Sequence, residues 1–214
     1  RILSPTAILG YGFPEASFQR GLDKEPDLIA VDGGSTDPGP YYLGAGKSFT
    51  DRRAVKRDLR LMITAGQQLE IPVIVGTAGG SGGQPHLDWC AEIVREIAEE
   101  EKLSFSLATI GAEVEEETVL TALKNGQVSS LGSGELTKEE VKAAERIVAQ
   151  MGIEPIIEAL AQEAEVILAG RAYDPTVFAA PAIKAGYPAG LALHLGKIME
   201  CASIAANPGS GSDS

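Results

Sequence analysis

Ile71-Pro72-Val73-Ile74-Val75 is an uninterrupted apolar run rich in β-branched side chains, with Gly76 directly behind it. A strand that alternates apolar and polar residues can leave one face in water. One that is apolar throughout has to be covered on both faces, as in a parallel sheet flanked by helices. Further strands are expected at Thr6 to Leu9, Leu28 to Val31, Ser104 to Ile110 and Val166 to Ala169. Helical patterns separate them. These are Pro14 to Gly21, Asp51 to Leu69 (Val55, Leu59, Met62 and Ile63 on one face), Leu87 to Glu101 (Ile93, Val94 and Ile97 inward) and Glu115 to Lys124, closed by Asn125-Gly126. Thr137-Lys138-Glu139-Glu140 is a capping box and predicts a helix running through Met151 to a stop at Gly152. Helices over Pro155 to Glu163, Thr176 to Ala185 and Leu191 to Ala205 complete the set. The alternation predicts a doubly wound, mostly parallel α/β sheet with helices on both faces, Rossmann-like, as a single domain over residues 1–214.

Charge and composition narrow the partners. The net charge is −12 and the pI about 4.6, so nucleic acid and anionic membrane surfaces are not expected as partners. The 44% hydrophobic content supplies a core, and no apolar run approaches a membrane span. Two cysteines far apart, Cys90 and Cys201, with no signal peptide, point to a cytoplasmic protein. The chain opens at Arg1 and stops inside a Gly/Ser/Asp loop, which reads as part of a longer protein.

Five loops carry glycine together with a polar residue, and in a parallel sheet such loops gather at the carboxyl ends of the strands, where ligands bind. They are Asp32 to Pro40, Ala78 to Asp88, Gly111-Ala112-Glu113, Gly170 to Pro175 and Pro208 to Asp213. Asp32 and Asp37 suit general acid/base work or a hard divalent ion, the alternative being turn capping. Gly79-Gly80-Ser81-Gly82-Gly83, between a strand and a helix, is the setting in which backbone amides cradle an anion. It has neither the lysine of a P-loop nor the dinucleotide spacing.

His86, beginning the next helix, is a candidate acid/base or metal ligand, the alternative being a satisfied core histidine. Metal candidates are Asp37, His86 and Asp88, with magnesium or manganese the ion that oxygen ligands would take. Arg171 and Asp174 follow a strand directly; Arg171 can clamp a carboxylate or phosphate, or tie down its own loop. Ser210 and Ser212 are candidate anion contacts on the last loop. Trp89 reads as core, His194 as a helix-packing residue, Lys197 as a solvated charge and Glu113 as a helix-start charge able to face the crevice. No Gly-x-Ser-x-Gly elbow, paired CxxC or His-Glu-x-x-His occurs.

The stretches Ile2 to Gly12, Asp32 to Pro40, Gly79 to Trp89, Ala169 to Pro175 and Pro208 to Asp213 resemble, in the same order, the acyclic terpene utilisation AtuA family. The resemblance covers essentially the whole chain. It implies the N-terminal α/β region of a longer protein; family members commonly carry Cys where this chain has Ser214. It also implies a pathway type, the catabolism of acyclic terpenes or branched small acids through coenzyme A esters.

Together these readings lead to an expected enzyme of small-acid or acyl-CoA catabolism. Its expected reaction is a hydratase or dehydratase type of lyase step next to a carboxylate or thioester. Asp32, Asp37 and His86 would supply acid and base. Gly79 to Gly83, Arg171, Asp174, Ser210 and Ser212 would hold the anion, and coenzyme A would enter as part of the substrate. The alternative is a non-catalytic ligand-binding subunit that works only with a partner protein. A homo-oligomer or a partner subunit is expected in either case.

Overall fold

The computed structural model describes residues 1–209 except 36, 133 and 208. A five-stranded parallel sheet runs through it in the order β1 (Ile2–Leu3), β2 (Leu28–Asp32), β3 (Val73–Gly76), β5 (Val166–Ala169), β4 (Leu107–Ile110). The helices are α1 (Glu15–Leu22), α2 (Tyr41–Ala45), α3 (Arg52–Leu69), α4 (Gln84–Glu101), α5 (Glu116–Lys124), α6 (Lys138–Ala143), α7 (Glu154–Ala161), α8 (Thr176–Lys184) and α9 (Ala189–Met199), with a 3-10 turn at Ala202–Ala205.

Strand side chains divide the core in two. Ile29, Val31, Val73, Val75, Val166 and Leu168 pack towards α1, α3 and α4, whereas Leu28, Ala30, Ile74 and Ile167 pack towards α7 and α8. The chain crosses the sheet one way from β1 to β3, passes on to the far edge at β4 and returns to β5. With right-handed crossovers, that reversal moves the helices to the opposite face. Ile74 and Ile167 have no exposed surface, and each such burial contributes about 1.5–3 kcal/mol relative to an exposed side chain. The sheet is therefore open, doubly wound and covered on both faces, as the apolar strands require. No helix among the described residues is long and apolar enough to cross a membrane.

One expected element is not found and another is shorter than expected. Thr6 to Leu9 is no strand: only Ile2 and Leu3 pair with β2, and a turn closed by Tyr11 N–H on Ile8 O (3.1 Å) follows. The buried carboxylate of Asp58 on α3 organises that turn, accepting from Gly10 N (2.8 Å) and Gly12 N (3.1 Å). Leu9 is then buried as a loop residue.

The helix that begins with the Thr137 capping box stops at Ala143, well short of Met151. Ile147 to Met151 instead runs as an extended strap. Its backbone bonds to Ala112 and Val114 beyond β4, and to Arg171 and Tyr173 beyond β5. Helix propensity in Ala144-Glu145-Arg146 loses to these tertiary hydrogen bonds. The short α2 was not expected from the sequence. The remaining elements appear close to their expected positions.

Asp58 has no exposed surface and also receives Arg57 Nε (3.0 Å) and Nη2 (2.5 Å) on Oδ1. Removing the carboxylate leaves two amides and a guanidinium without their acceptor, so Asp58→Ala should cost about 2–4 kcal/mol. Urea denaturation checks this, and Asp58→Asn, which keeps one acceptor oxygen, should cost less.

Candidate functional site

Four of the five glycine loops meet at the carboxyl edge of the sheet. Gly33 N donates to Gly76 O (2.6 Å) and Ser35 N to Gly80 O (3.0 Å), joining the loops after β2 and β3. Thr77 N donates to Gly170 O (3.1 Å) and Arg171 N to Gly82 O (2.9 Å), joining those after β3 and β5. Gly170 N donates to Ile110 O (2.8 Å), bringing in the loop after β4. The fifth loop, with Ser210 and Ser212, lies outside the described residues apart from Gly209.

Close backbone approach explains the glycines. A Cβ on Gly34 would stand 2.0 Å from Gly80 O, and one on Gly82 would stand 2.2 Å from Arg171 N. Gly79, Gly80, Ser81, Gly82 and Gly83 are all buried. At the start of α4 the Gln84 amide donates to the protein's own Glu113 carboxylate (3.0 Å), which also takes Arg146 Nη1 (3.1 Å). The helix terminus where the sequence suggests an external anion thus already holds an internal one.

The other candidates separate. His86 is buried, with Nε2 at 3.0 Å from Tyr42 O and 3.2 Å from Lys47 O. Two carbonyl acceptors place the hydrogen on Nε2, and the ring thereby holds α2 and the chain behind it. Burial pulls its pKa below the ordinary histidine value, against the two carbonyl contacts. Asp88 is exposed and accepts from Gln84 Nε2 (2.8 Å). Asp37 is exposed, its backbone N–H donating to Ser35 Oγ (3.1 Å). Among the described residues no group of three or more His, Cys, Asp or Glu side chains is arranged to hold a metal ion. Trp89 packs against the core as expected, whereas His194 is exposed on α9 and not packed.

Asp32, Asp174 and Arg171 do come together, with partners the sequence did not single out. Asp32 ends β2 and is 6% exposed, and the one hydrogen bond to its side chain among the described residues is a long one from Gly34 N (3.5 Å). Burial pushes its pKa well above the ordinary value, the neighbouring Asp174 adds to this, and Arg171 partly opposes it. Arg171 is nearly buried and reaches Thr77 Oγ1 (3.4 Å); its Nη1 stands 3.9 Å from Asp174 Oδ1, too far for a hydrogen bond. That Asp174 oxygen is buried with no hydrogen-bond partner among the described residues.

Glu200 and Cys201, just beyond α9, complete the crevice. The charge of Glu200 acts on Asp32, and Asp32, Asp174 and Glu200 all act on Cys201. Lys197 is exposed, as expected of a solvated charge, and its ammonium also donates to Glu200 Oε1 (2.6 Å). A local signal was present, an i,i+3 Lys–Glu pair ending an otherwise apolar helix.

A cavity of about 590 Å³ opens elsewhere, lined by residues such as Ile2, Leu28, Pro181, Leu191, Leu195 and Met199. The charged residues on its rim, Arg1 and Asp27, are already paired with each other. The acidic crevice is the better site because its carboxylates are buried, close to one another and incompletely hydrogen-bonded.

A family model described as acyclic terpene utilisation family protein AtuA matches residues 52–208. No curated protein and no solved structure matches the chain.

The raised Asp32 carboxyl has a stability consequence. The unfolded chain gives up this proton near the ordinary value of 3.8, whereas the folded chain keeps it to higher pH. Its contribution to stability is therefore complete below that value and is lost as pH climbs through the raised one. Asp32→Asn has no proton to lose. Relative to wild type it should gain stability as pH rises from about 4, reaching on the order of 1 kcal/mol, or roughly 2–4 °C in Tm. Melting curves of both proteins across pH 4–9 check the growing difference.

Proposed function

The chain belongs to the acyclic terpene utilisation AtuA family, and from that premise we propose that it is a lyase of the hydratase/dehydratase type. It acts next to the carboxylate or thioester of a branched small acid or acyl-CoA. The family assignment itself implies a part in acyclic terpene utilisation. The observation that carries the finer reading is that a buried, poorly hydrogen-bonded carboxyl, Asp32, and a guanidinium, Arg171, lie on loops that both pack against the loop after β3 at the strand ends.

Eliminating water beside a carbonyl needs a proton for the departing hydroxyl and a cation near the carbonyl oxygen, where negative charge builds up. Burial and Asp174 disfavour the charged form of Asp32, which suits it to the role of proton donor. Arg171 supplies the cation. Thr77 Oγ1 touches it and Asp174 stands beside it, which limits its rotamers and orients its donors inward. The interlocked glycine loops hold these groups on rigid backbone, and orientation of this kind lowers the barrier without moving at the moment of reaction. The expected partner is accordingly a small anionic metabolite or its coenzyme A ester. Any divalent ion would have to gather ligands beyond those grouped in this crevice.

The test is turnover on a panel of branched 3-hydroxyacyl-CoA esters and branched hydroxy-dicarboxylates, with ligand binding followed by thermal shift. Asp32→Asn should lower kcat by about 10²–10⁴-fold and leave the ligand-induced Tm rise in place. Arg171→Met should weaken binding by about 10–100-fold, the loss of a charge-assisted contact. Ligand stabilisation with no turnover in any member of the panel would favour a binding subunit that requires its partner.

A further inference from the structure

We infer that Glu200, brought in by the end of α9, is the catalytic base of this site, with Lys197 as its positioning residue. The inference rests on the lyase reading above and adds the group that reading leaves unnamed.

Glu200 has its two oxygens in different situations. Oε1 takes the Lys197 ammonium at 2.6 Å. Oε2 is buried and has no hydrogen-bond partner among the described residues. The side chain is 10% exposed. A buried carboxylate oxygen left without a donor is costly, and a structural role for Glu200 would have satisfied it. What remains, among the described residues, is a buried acceptor without a donor.

The position of Glu200 is also fixed from two sides. Ser4 Oγ donates to Met199 O (2.9 Å), tying the last turn of α9 to the loop after β1. Gly196 lies so close on Pro175 that a Cβ there would stand 2.4 Å from Pro175 O. Pro175 directly follows Asp174, so the helix end and the acidic loop are packed as one unit. The charges of Glu200 and Asp32 consequently act on each other across the crevice.

The step balances between these two residues. Glu200 Oε2 removes the proton from the carbon next to the carbonyl. The C–H electron pair becomes the new C=C bond, and the C–O bond to the adjacent carbon breaks. Asp32 gives its proton to the departing hydroxyl, which leaves as water. Glu200 ends protonated and Asp32 ionised, and exchange with solvent resets both. One group to take a proton and another to give one, each with its own task, are what such a reaction requires.

Incubating the protein with the branched 3-hydroxyacyl-CoA panel in D2O separates base from acid. Wild type should form product and exchange the proton next to the carbonyl for deuterium in recovered substrate. Asp32→Asn should still exchange it while product formation falls. Glu200→Gln should lose both exchange and turnover by about 10²–10⁴-fold, with little change in KM. Glu200→Asp, which keeps a carboxylate on a shorter arm, should recover part of each. A Glu200→Gln protein that exchanges deuterium as fast as wild type would overturn the assignment of Glu200 alone. A folded wild type that neither exchanges nor converts any member of the panel would overturn the lyase reading and this assignment with it.

Discussion

Two neighbouring strands, β3 and β5, send their chains to opposite faces of the sheet, and the loops that leave them must still pass within backbone hydrogen-bond distance of each other. Thr77, Ala78 and Gly82 of one loop meet Ala169, Gly170 and Arg171 of the other through main-chain contacts. Few side chains fit there, so the sequence carries glycine at two of these three crossings and alanine at the third. Everything functional is hung on this seam. Asp32 lies one strand away from it, Arg171 and Asp174 are part of it, and the strap from Ile147 to Met151 holds its outer side.

The electrostatics follow from where the seam places charge. Burying Asp32 beside Asp174 without a full set of donors would be unfavourable for two ionised groups. The conflict shows as a raised Asp32 pKa, which the cation of Arg171 partly opposes. The contrast with the α3–α4 surface is instructive. There Arg52 and Lys56 hold the Glu96 carboxyl down to about 2 by direct hydrogen bonds in the open. The same functional group, a carboxyl, is thus driven in opposite directions by solvent access and by the sign of its neighbours.

Much of this was legible in the sequence. The apolar run ending at Val75 required a sheet covered on both faces, and Asp32, Arg171 and Asp174 could be picked out because each ends a strand or sits just beyond one. The long glycine run was legible as close approach, but not as approach to what: sequence cannot distinguish a ligand from the backbone of the next loop. Glu200 was not legible, because only the packing of α9 on α8 and on Pro175 decides which end of that helix reaches the crevice. The strap at Ile147 to Met151 was missed for a related reason. Its residues favour helix locally, and its hydrogen-bond partners lie far away in the chain. His86 stood out by residue type alone; its Nε2 is occupied by the Tyr42 and Lys47 carbonyls, while its buried Nδ1 has no hydrogen-bond partner among the described residues.

The contact of Gly196 on Pro175 sets unequal rules for change over evolutionary time. Positions such as Gly34, Gly79 and Gly82 face main chain, which no compensating side-chain exchange can move out of the way. Lineages can therefore drift around these glycines but scarcely through them. Beyond Gly196, by contrast, α9 presents Leu191, Leu195 and Ile198 outward, free of such constraint. Innovation in this architecture has an open side and a closed side. Descendants that acquire new substrates should carry their record of change along α9, while the crossing loops stay the same.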